Sequence, residues 1–574
     1  MLTPTSHEIH VRFDVRVPMR DGLTLSADVY RAANAPGEPE SYPVILARTP
    51  YQKLSEGMMS VARYFADRGY VFVAMDVRGR GDSDGVFQPH FHEDVDGYDA
   101  IEWCAAQAWS DGNVGTIGSS YPGVVQWLAA VERPPHLKAM VVRVTPSDPF
   151  VETPTGLPSP MSLCWMHYVS GRYNQSMEAV DWTRVYEHLP LLTMDEQAGR
   201  HIPQWRAQIE HARLDEFWEP LRYQQKFHRV NVPVLHISGW YDDEQIGTPL
   251  NFSGMTRHAA TPEARRGQRL IMGPWGHVVN TTSKLGDIEF GPQALIELRG
   301  EELRWFNRWL KGYSFHAELE EAPIRIFVMG ANRWRDEREW PLARTQWTRY
   351  YLHSGGRANS RFGNGSLSTT PPAAHEPADT YRYDPAYPVP FITDPTSSQI
   401  GGPDDYSAIE RRDDVLVYVT PPLQEDIEVT GPIKVELYAS SSTPDTDFTA
   451  KLLDIWPNGF AQRLCDGMVR ARFRDGMDKP SLIEPGKVYH YNIDCWNTSQ
   501  VFKAGHRIGL EIASSAFPKY DRNLNTGAPL GVTTEMAVAE QRIFHDAEHP
   551  SAVILPIIPT APEPDEAYEI FTRR

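Results

Sequence analysis

Six stretches of the chain are almost continuously apolar: YPVILARTPY (42–51), GYVFVAMDVRG (69–79), NVGTIGSS (113–120), LKAMVVRVTP (137–146), VPVLHISGWYDD (232–243) and QRLIMGPWGH (268–277). A strand that buries one face alternates apolar and polar residues. A strand without alternation is buried on both faces, as in a parallel sheet covered by helices. Between these runs the apolar residues take helical spacing, in EGMMSVARYFADR (56–68), DGYDAIEWCAAQ (96–107) and PGVVQWLAAVE (122–132). A further helix, IELRGEELRWFNRWLKG (296–312), ends on Gly312, a residue suited to the left-handed turn that closes a helix. This alternation predicts an α/β domain with a mostly parallel sheet.

The alternation stops between about 146 and 231, where PSPMSLCWMHYVSGRYNQSMEAVDW and QWRAQIEHARLDEFW carry helical spacing without a strand signal. The spacing predicts a helical insertion that covers the carboxyl ends of the strands as a cap. From about 320 the pattern changes again. APIRIFVMG, TRYYLHSG, VLVYVTPPL, GPIKVELYASSS, FTAKLLDIWP, KVYHYNIDCW and HRIGLEIASSAFP are short and alternating, with Gly, Pro, Asp and Asn between them. They predict an antiparallel sandwich, and SGGRANSRFGNGSLSTTPPAAHEPA (354–378) reads as a loop. The expected division is an α/β domain in two parts, 1–145 and 232–350, a helical cap at 146–231 and a β-sandwich at 351–574.

One strand–turn–helix junction carries candidate chemistry. GTIGSSYPG (115–123) has the context of a nucleophile elbow, although the second glycine of G-x-S-x-G is displaced to Gly123. A serine nucleophile needs a base, and the base needs an orienting carboxylate. VPVLHISGWYDDE delivers Asp242 and Asp243 beyond a strand, and RLIMGPWGH ends on His277. Ser120, Asp242 and His277 therefore follow one another in the chain order of α/β-hydrolases, each just after a strand. The backbone N–H of Tyr121 and the hydroxyl of Tyr51, in RTPYQK, are the candidate oxyanion donors. Each residue alone has a plainer reading as a turn former, a surface histidine or a loop aromatic. Three strand ends supplying the three needed types in order favour the chemical one.

Composition narrows the classes. At 574 residues the chain is too long for one core, and two to four domains are expected. Its 56 basic and 75 acidic residues give a net charge of −19, which argues against nucleic acid and against an anionic membrane as partners. Cys104, Cys164, Cys465 and Cys495 form no CxxC pair, so they read as reduced thiols of a cytoplasmic protein. The N-terminus MLTPTSHEIHVRFDVRV lacks the signal-peptide pattern, and no run reaches the ~18 apolar residues of a membrane helix. HFHED (90–94) has metal-type residues but reads as a polar loop entering a helix, and Arg80-Gly81-Asp82 as a glycine-rich turn. No metal and no cofactor are expected.

Six separated motifs together carry a resemblance: DVRGRGDSDG (76–85), DGNVGTIGSSYPG (111–123), GWYDDE (239–244), GPWGH (273–277), DFTAKLLDIWPNGFA (447–461) and FPKYDRNLNTG (517–527). They resemble the bacterial cocaine esterase family, which is related to the α-amino acid ester hydrolases and the X-Pro dipeptidyl peptidases. The resemblance implies an α/β-hydrolase domain with an inserted helical cap and a C-terminal jelly-roll β-sandwich. It implies Ser120 as nucleophile, Asp242 as acid, His277 as base and Tyr51 as oxyanion hydroxyl. It also implies a small-molecule ester as substrate and a homodimer or higher homo-oligomer. Trp165 falls where an aromatic acyl pocket would lie, with a core tryptophan as the other reading, and Trp240 is a second candidate pocket residue. Glu244 stands where aromatic-pocket esterases carry an apolar residue and where α-amino acid ester hydrolases carry a carboxylate for the substrate ammonium. Gln245 departs from the second acid expected beside it, and Glu152 is a candidate to join Glu244 from the cap. The two enzymatic readings are a serine esterase on aryl or acyl esters and a hydrolase of amine-bearing substrates. An adhesion or carbohydrate-binding protein built on the sandwich is disfavoured by the ordered triad.

Overall fold

The apolar runs become neighbouring strands in the computed structural model, which describes residues 8–33, 40–313, 322–395 and 400–559. Residues 1–7, on which part of the leader reading rests, lie outside the described residues. Eight strands, β1 (Ile9–Pro18), β2 (Thr24–Ala32), β3 (Tyr42–Thr49), β4 (Val71–Asp76), β5 (Ser110–Ser119), β6 (Leu137–Arg143), β7 (Val234–Gly239) and β8 (Gln268–Gly273), take the order β1-β2-β4-β3-β5-β6-β7-β8. From β4 to β8 neighbouring strands are parallel; β1 and β2 form an antiparallel edge.

The missing alternation has its cause in packing on both faces. Val44 and Leu46 of β3 join Val71, Val73 and Met75 of β4 in one core with Ala100, Ile101, Val124 and Leu128. The intervening Ile45, Ala47, Phe72 and Ala74 face a second core with Phe65, Trp305, Phe306 and Leu310. Helices α2 (Glu93–Ala105) and α3 (Tyr121–Val131) therefore cover one face, and α1 (Glu56–Ala66) with Leu298–Lys311 covers the other. Helix α1 starts where the Ser55 side chain accepts from the Met58 N–H, and Leu298–Lys311 stops at Gly312, whose φ is 69°.

One strand departs from its pattern. Ile324–Val328, grouped by its pattern with the alternating strands although the expected boundary at 350 leaves it in the α/β part, extends the first sheet: it lies parallel to β8, with Ile324 beside Leu270, and then pairs with Arg333–Glu337. Five residues are too few for periodicity to separate a doubly buried strand from an edge one. The next strand, Gln346–His353, pairs with Ala552–Ile558 in the second sheet and spans position 350.

The segment between β6 and β7 forms short helices, Ser162–Tyr168, Trp182–Tyr186, Met194–Gln197 and Pro203–Glu210, around a small core of their own that includes Trp182, Tyr186 and Trp205. Arg80, the first residue of the Arg-Gly-Asp turn, is fully buried and ties this segment down. Its guanidinium donates to Pro50 O (2.7 Å), Val169 O (2.9 Å) and Asn174 Oδ1 (2.7 Å).

The second sheet has eleven strands, paired antiparallel apart from one bridge. Tyr381 and Tyr383 at one end of the strand order share a core with Leu464 and Val469 at the other, so the sheet folds back on itself. It also reaches the β7 loop, where Gln462 Nε2 donates to the Tyr241 hydroxyl (3.3 Å). All four cysteines are buried thiols outside any disulfide, and no helix among the described residues is long and apolar enough to cross a membrane.

Candidate active site

Ser120 sits between β5 and α3 with φ 63° and ψ −126°, a left-handed conformation that a serine adopts only when its surroundings enforce it. The glycine frame makes this turn. A Cβ on Gly118 would lie 2.4 Å from Pro122 O, and one on Gly123 would lie 2.3 Å from Thr145 Oγ1. The displaced second glycine thus answers to β6, whose end crosses the helix at Gly123. Pro122 is tolerated in the first helical turn, where a missing N–H costs nothing. The Tyr121 N–H opens the helix and has no intrahelical acceptor. Its ring is held from behind, as the Tyr121 hydroxyl donates to Glu93 Oε1 (2.6 Å) and accepts from the His90 N–H (2.9 Å).

The β7 and β8 ends approach closely: a Cβ on Gly239 would meet Trp275 O at 2.0 Å. That proximity sets His277 Nδ1 2.8 Å from Asp242 Oδ1. Asp242 is buried and also accepts from Ser238 Oγ (2.7 Å) and the Glu244 N–H (3.2 Å). Burial alone would lower the His277 pKa, but the charges of Asp243 and Asp242 override it and hold the imidazole well above the ordinary histidine value. A base must be neutral to accept a proton. The acid limb of kcat/KM is therefore expected above pH ~6.5, and a pH–rate profile with its limb below that value would contradict the charge arrangement.

Ser120, Tyr51, Tyr121, Trp165, Glu244 and His277 line one cavity of about 1050 Å³. Burial pushes the Tyr51 hydroxyl up to about 12, so it stays protonated as a donor, with Ser120 among its hydrogen-bonding neighbours. Trp165 Nε1 donates to the Tyr51 oxygen (2.9 Å) and leaves the Tyr51 proton to point elsewhere. Trp165 also stacks on Tyr121 (centroids 5.9 Å apart), and His90 stacks on Tyr121 at 4.5 Å. The helical segment between β6 and β7 thus contributes an aromatic side chain and a hydrogen bond to the same site.

Two family profiles cover most of the chain. The X-Pro dipeptidyl-peptidase (S15 family) profile matches residues 21–279, and the X-Pro dipeptidyl-peptidase C-terminal non-catalytic domain matches 317–554. A cocaine esterase of Rhodococcus sp. is 38% identical, over 96% of this chain and 98% of its own. The chain belongs to the cocaine esterase family. It is a hydrolase of the wider S15 group. Among solved structures, an α-amino acid ester hydrolase and an aminopeptidase from a marine sediment Thaumarchaeota archaeon each superpose with a TM-score of 0.84. Each is 26% identical and covers 97% of this chain and 98% of its own.

Within the cocaine esterase family frame, two specificity candidates part company. Trp240 is 2% exposed, packs in the core and donates from Nε1 to Phe327 O (2.8 Å); it is not a wall of the cavity, which corrects its reading as a substrate-binding residue. Glu244 does line the cavity, with Oε2 buried and without a hydrogen-bond partner among the described residues. Burial, outweighing the attraction of His277, raises its carboxyl well above the usual range, and Glu152 adds repulsion. Gln245 bonds the second sheet through its amide, to Asn497 O and from the Asn497 N–H (3.3 Å). The HFHED stretch brings no metal cluster together among the described residues: Glu93 is taken by Tyr121 and Arg48, and His90 by the aromatic wall. Sequence reasoning missed the Trp165–Tyr51 bond and the approach of Asp243 to His277, at 3.1 Å.

Proposed function

We propose that this chain is a serine esterase that cleaves carboxylic esters by two-step acyl transfer, on an α/β-hydrolase fold with a helical cap and a jelly-roll partner. The observation that carries the reading is one cavity holding a strained serine, a histidine bonded to a buried aspartate and a protonated tyrosine. His277 takes the Ser120 proton as the oxygen attacks the ester carbonyl. Tyr51 and the Tyr121 N–H stabilise the oxyanion. His277 returns the proton to the departing alcohol, and water then releases the acid by the same route. Asp242 keeps Nδ1 protonated so that Nε2 is the basic nitrogen. The 38% identity to a cocaine esterase and the aromatic wall of Trp165, Tyr121 and His90 support an aryl acyl group.

Glu244 supports a second reading. An unpartnered buried carboxylate is costly unless a cation meets it, and an ammonium group would do so in an α-amino ester. The two readings separate in a paired turnover assay of purified protein on methyl benzoate and phenylglycine methyl ester. Faster benzoate turnover supports the aryl esterase. Under that reading Glu244→Gln leaves the benzoate rate within about threefold. Under the second, the same variant raises KM for the amino ester by ten-fold or more, the loss of about one charge-assisted contact.

A further inference from the structure

His277 meets two carboxylates on one nitrogen. Its Nδ1 lies 2.8 Å from Asp242 Oδ1 and 3.1 Å from Asp243 Oδ1. Asp242 is fixed by other donors as well, from Ser238 Oγ and the Glu244 N–H. Asp243 Oδ1 is buried and has no other hydrogen-bond partner among the described residues. We propose that Asp243 is a second positioning carboxylate of the base, keeping Nδ1 protonated and Nε2 basic alongside Asp242.

The inference rests on the assignment of His277 as base to Ser120. Its physical content is redundancy. In a triad with one carboxylate, an Asp→Asn change turns an amide N–H toward Nδ1 and selects the wrong tautomer, at a cost of about 10⁴-fold in kcat. Here the Asp243 oxygen remains as an acceptor for the Nδ1 proton. The second carboxylate also adds negative charge beside the imidazolium that forms at the transition state. The charged and titratable groups facing His277 are Asp242 and Asp243 on its own side, Glu244 on the same turn and Tyr51 across the cavity. Arg143, Arg299 and Glu302 also line the cavity and are paired among themselves.

The test compares D242N, D243N and the double variant, each read as a pH profile of kcat/KM on an aryl ester. D242N alone is expected to lose about 10² in kcat, and the double variant about 10⁴. D243N is expected to stay within about ten-fold in kcat while its acid limb moves to lower pH by about one unit or more, because removing a neighbouring negative charge destabilises the imidazolium. A purely structural role for Asp243 would lower kcat without moving the limb. The pH dependence of fluorophosphonate labelling of Ser120 reads the same limb without a substrate, and D243S serves where D243N does not fold. An unmoved limb in the Asp243 variants, or a full 10⁴-fold loss in D242N alone, overturns the proposal. Full activity in Ser120→Ala would instead overturn the serine hydrolase reading on which it rests.

Discussion

Ser120→Ala is expected to lower kcat by about 10⁶-fold, because the nucleophile, base and acid act as a unit and loss of the nucleophile costs nearly what loss of all three costs. The residual rate is that of water attacking an ester bound beside intact oxyanion donors. Folding should survive. The alanine keeps the backbone, and the frame that enforces φ 63° at this position is made by Gly118, Gly123, Pro122 and Thr145 rather than by the serine hydroxyl. The strain stored at the turn is unchanged, since alanine dislikes that conformation as serine does. Steady-state turnover on an aryl ester, with thermal unfolding as the control for folding, checks both halves. An activity within ten-fold of the parent would remove Ser120 from the mechanism.

Tyr51→Phe has the next largest expected effect. If the hydroxyl donates to the oxyanion, its loss costs about 2.7–4 kcal/mol, or 10² to 10³ in kcat. KM should change little, because the donor acts on charge that develops only in the transition state. The tyrosine is suited to this role, since burial holds its hydroxyl protonated at about 12 and the Trp165 N–H occupies the acceptor side of its oxygen. The same bond makes Trp165→Phe informative: with the aromatic wall kept and the N–H removed, a loss in kcat would trace to Tyr51 orientation and a rise in KM to the wall. An unchanged kcat in Tyr51→Phe would leave the Tyr121 N–H without its partner and require another donor.

Much of this arrangement is legible in the amino-acid sequence, for identifiable reasons. The doubly buried strands announce themselves through absent alternation, as β4 and β7 do with every residue buried. The elbow is legible because glycines at 118 and 123 are steric necessities. What escapes a sequence reading is set by contacts between distant residues. Trp165 and Tyr51 are 114 positions apart, and Gln245 and Asn497 are 252 apart, so no local pattern marks either bond. Gln245 stands out in the sequence only as a departure from an expected acid; in the fold it ties the Asp242 turn to the second sheet. Trp240 misleads because an aromatic beside a catalytic loop has no sequence mark for whether it points into the cavity or into the core. Ile324–Val328 misleads because a five-residue strand carries too little periodicity to assign it to one sheet over another.

The central claim is a covalent acyl intermediate on Ser120. Its most direct measurement is mass spectrometry of the protein trapped with a fluorophosphonate and, separately, acid-quenched during turnover of an aryl benzoate. The account predicts one adduct per chain in both experiments, mapped to the peptide containing Ser120, and no adduct in Ser120→Ala. An active enzyme that carries no adduct, or carries it on another residue, would contradict it.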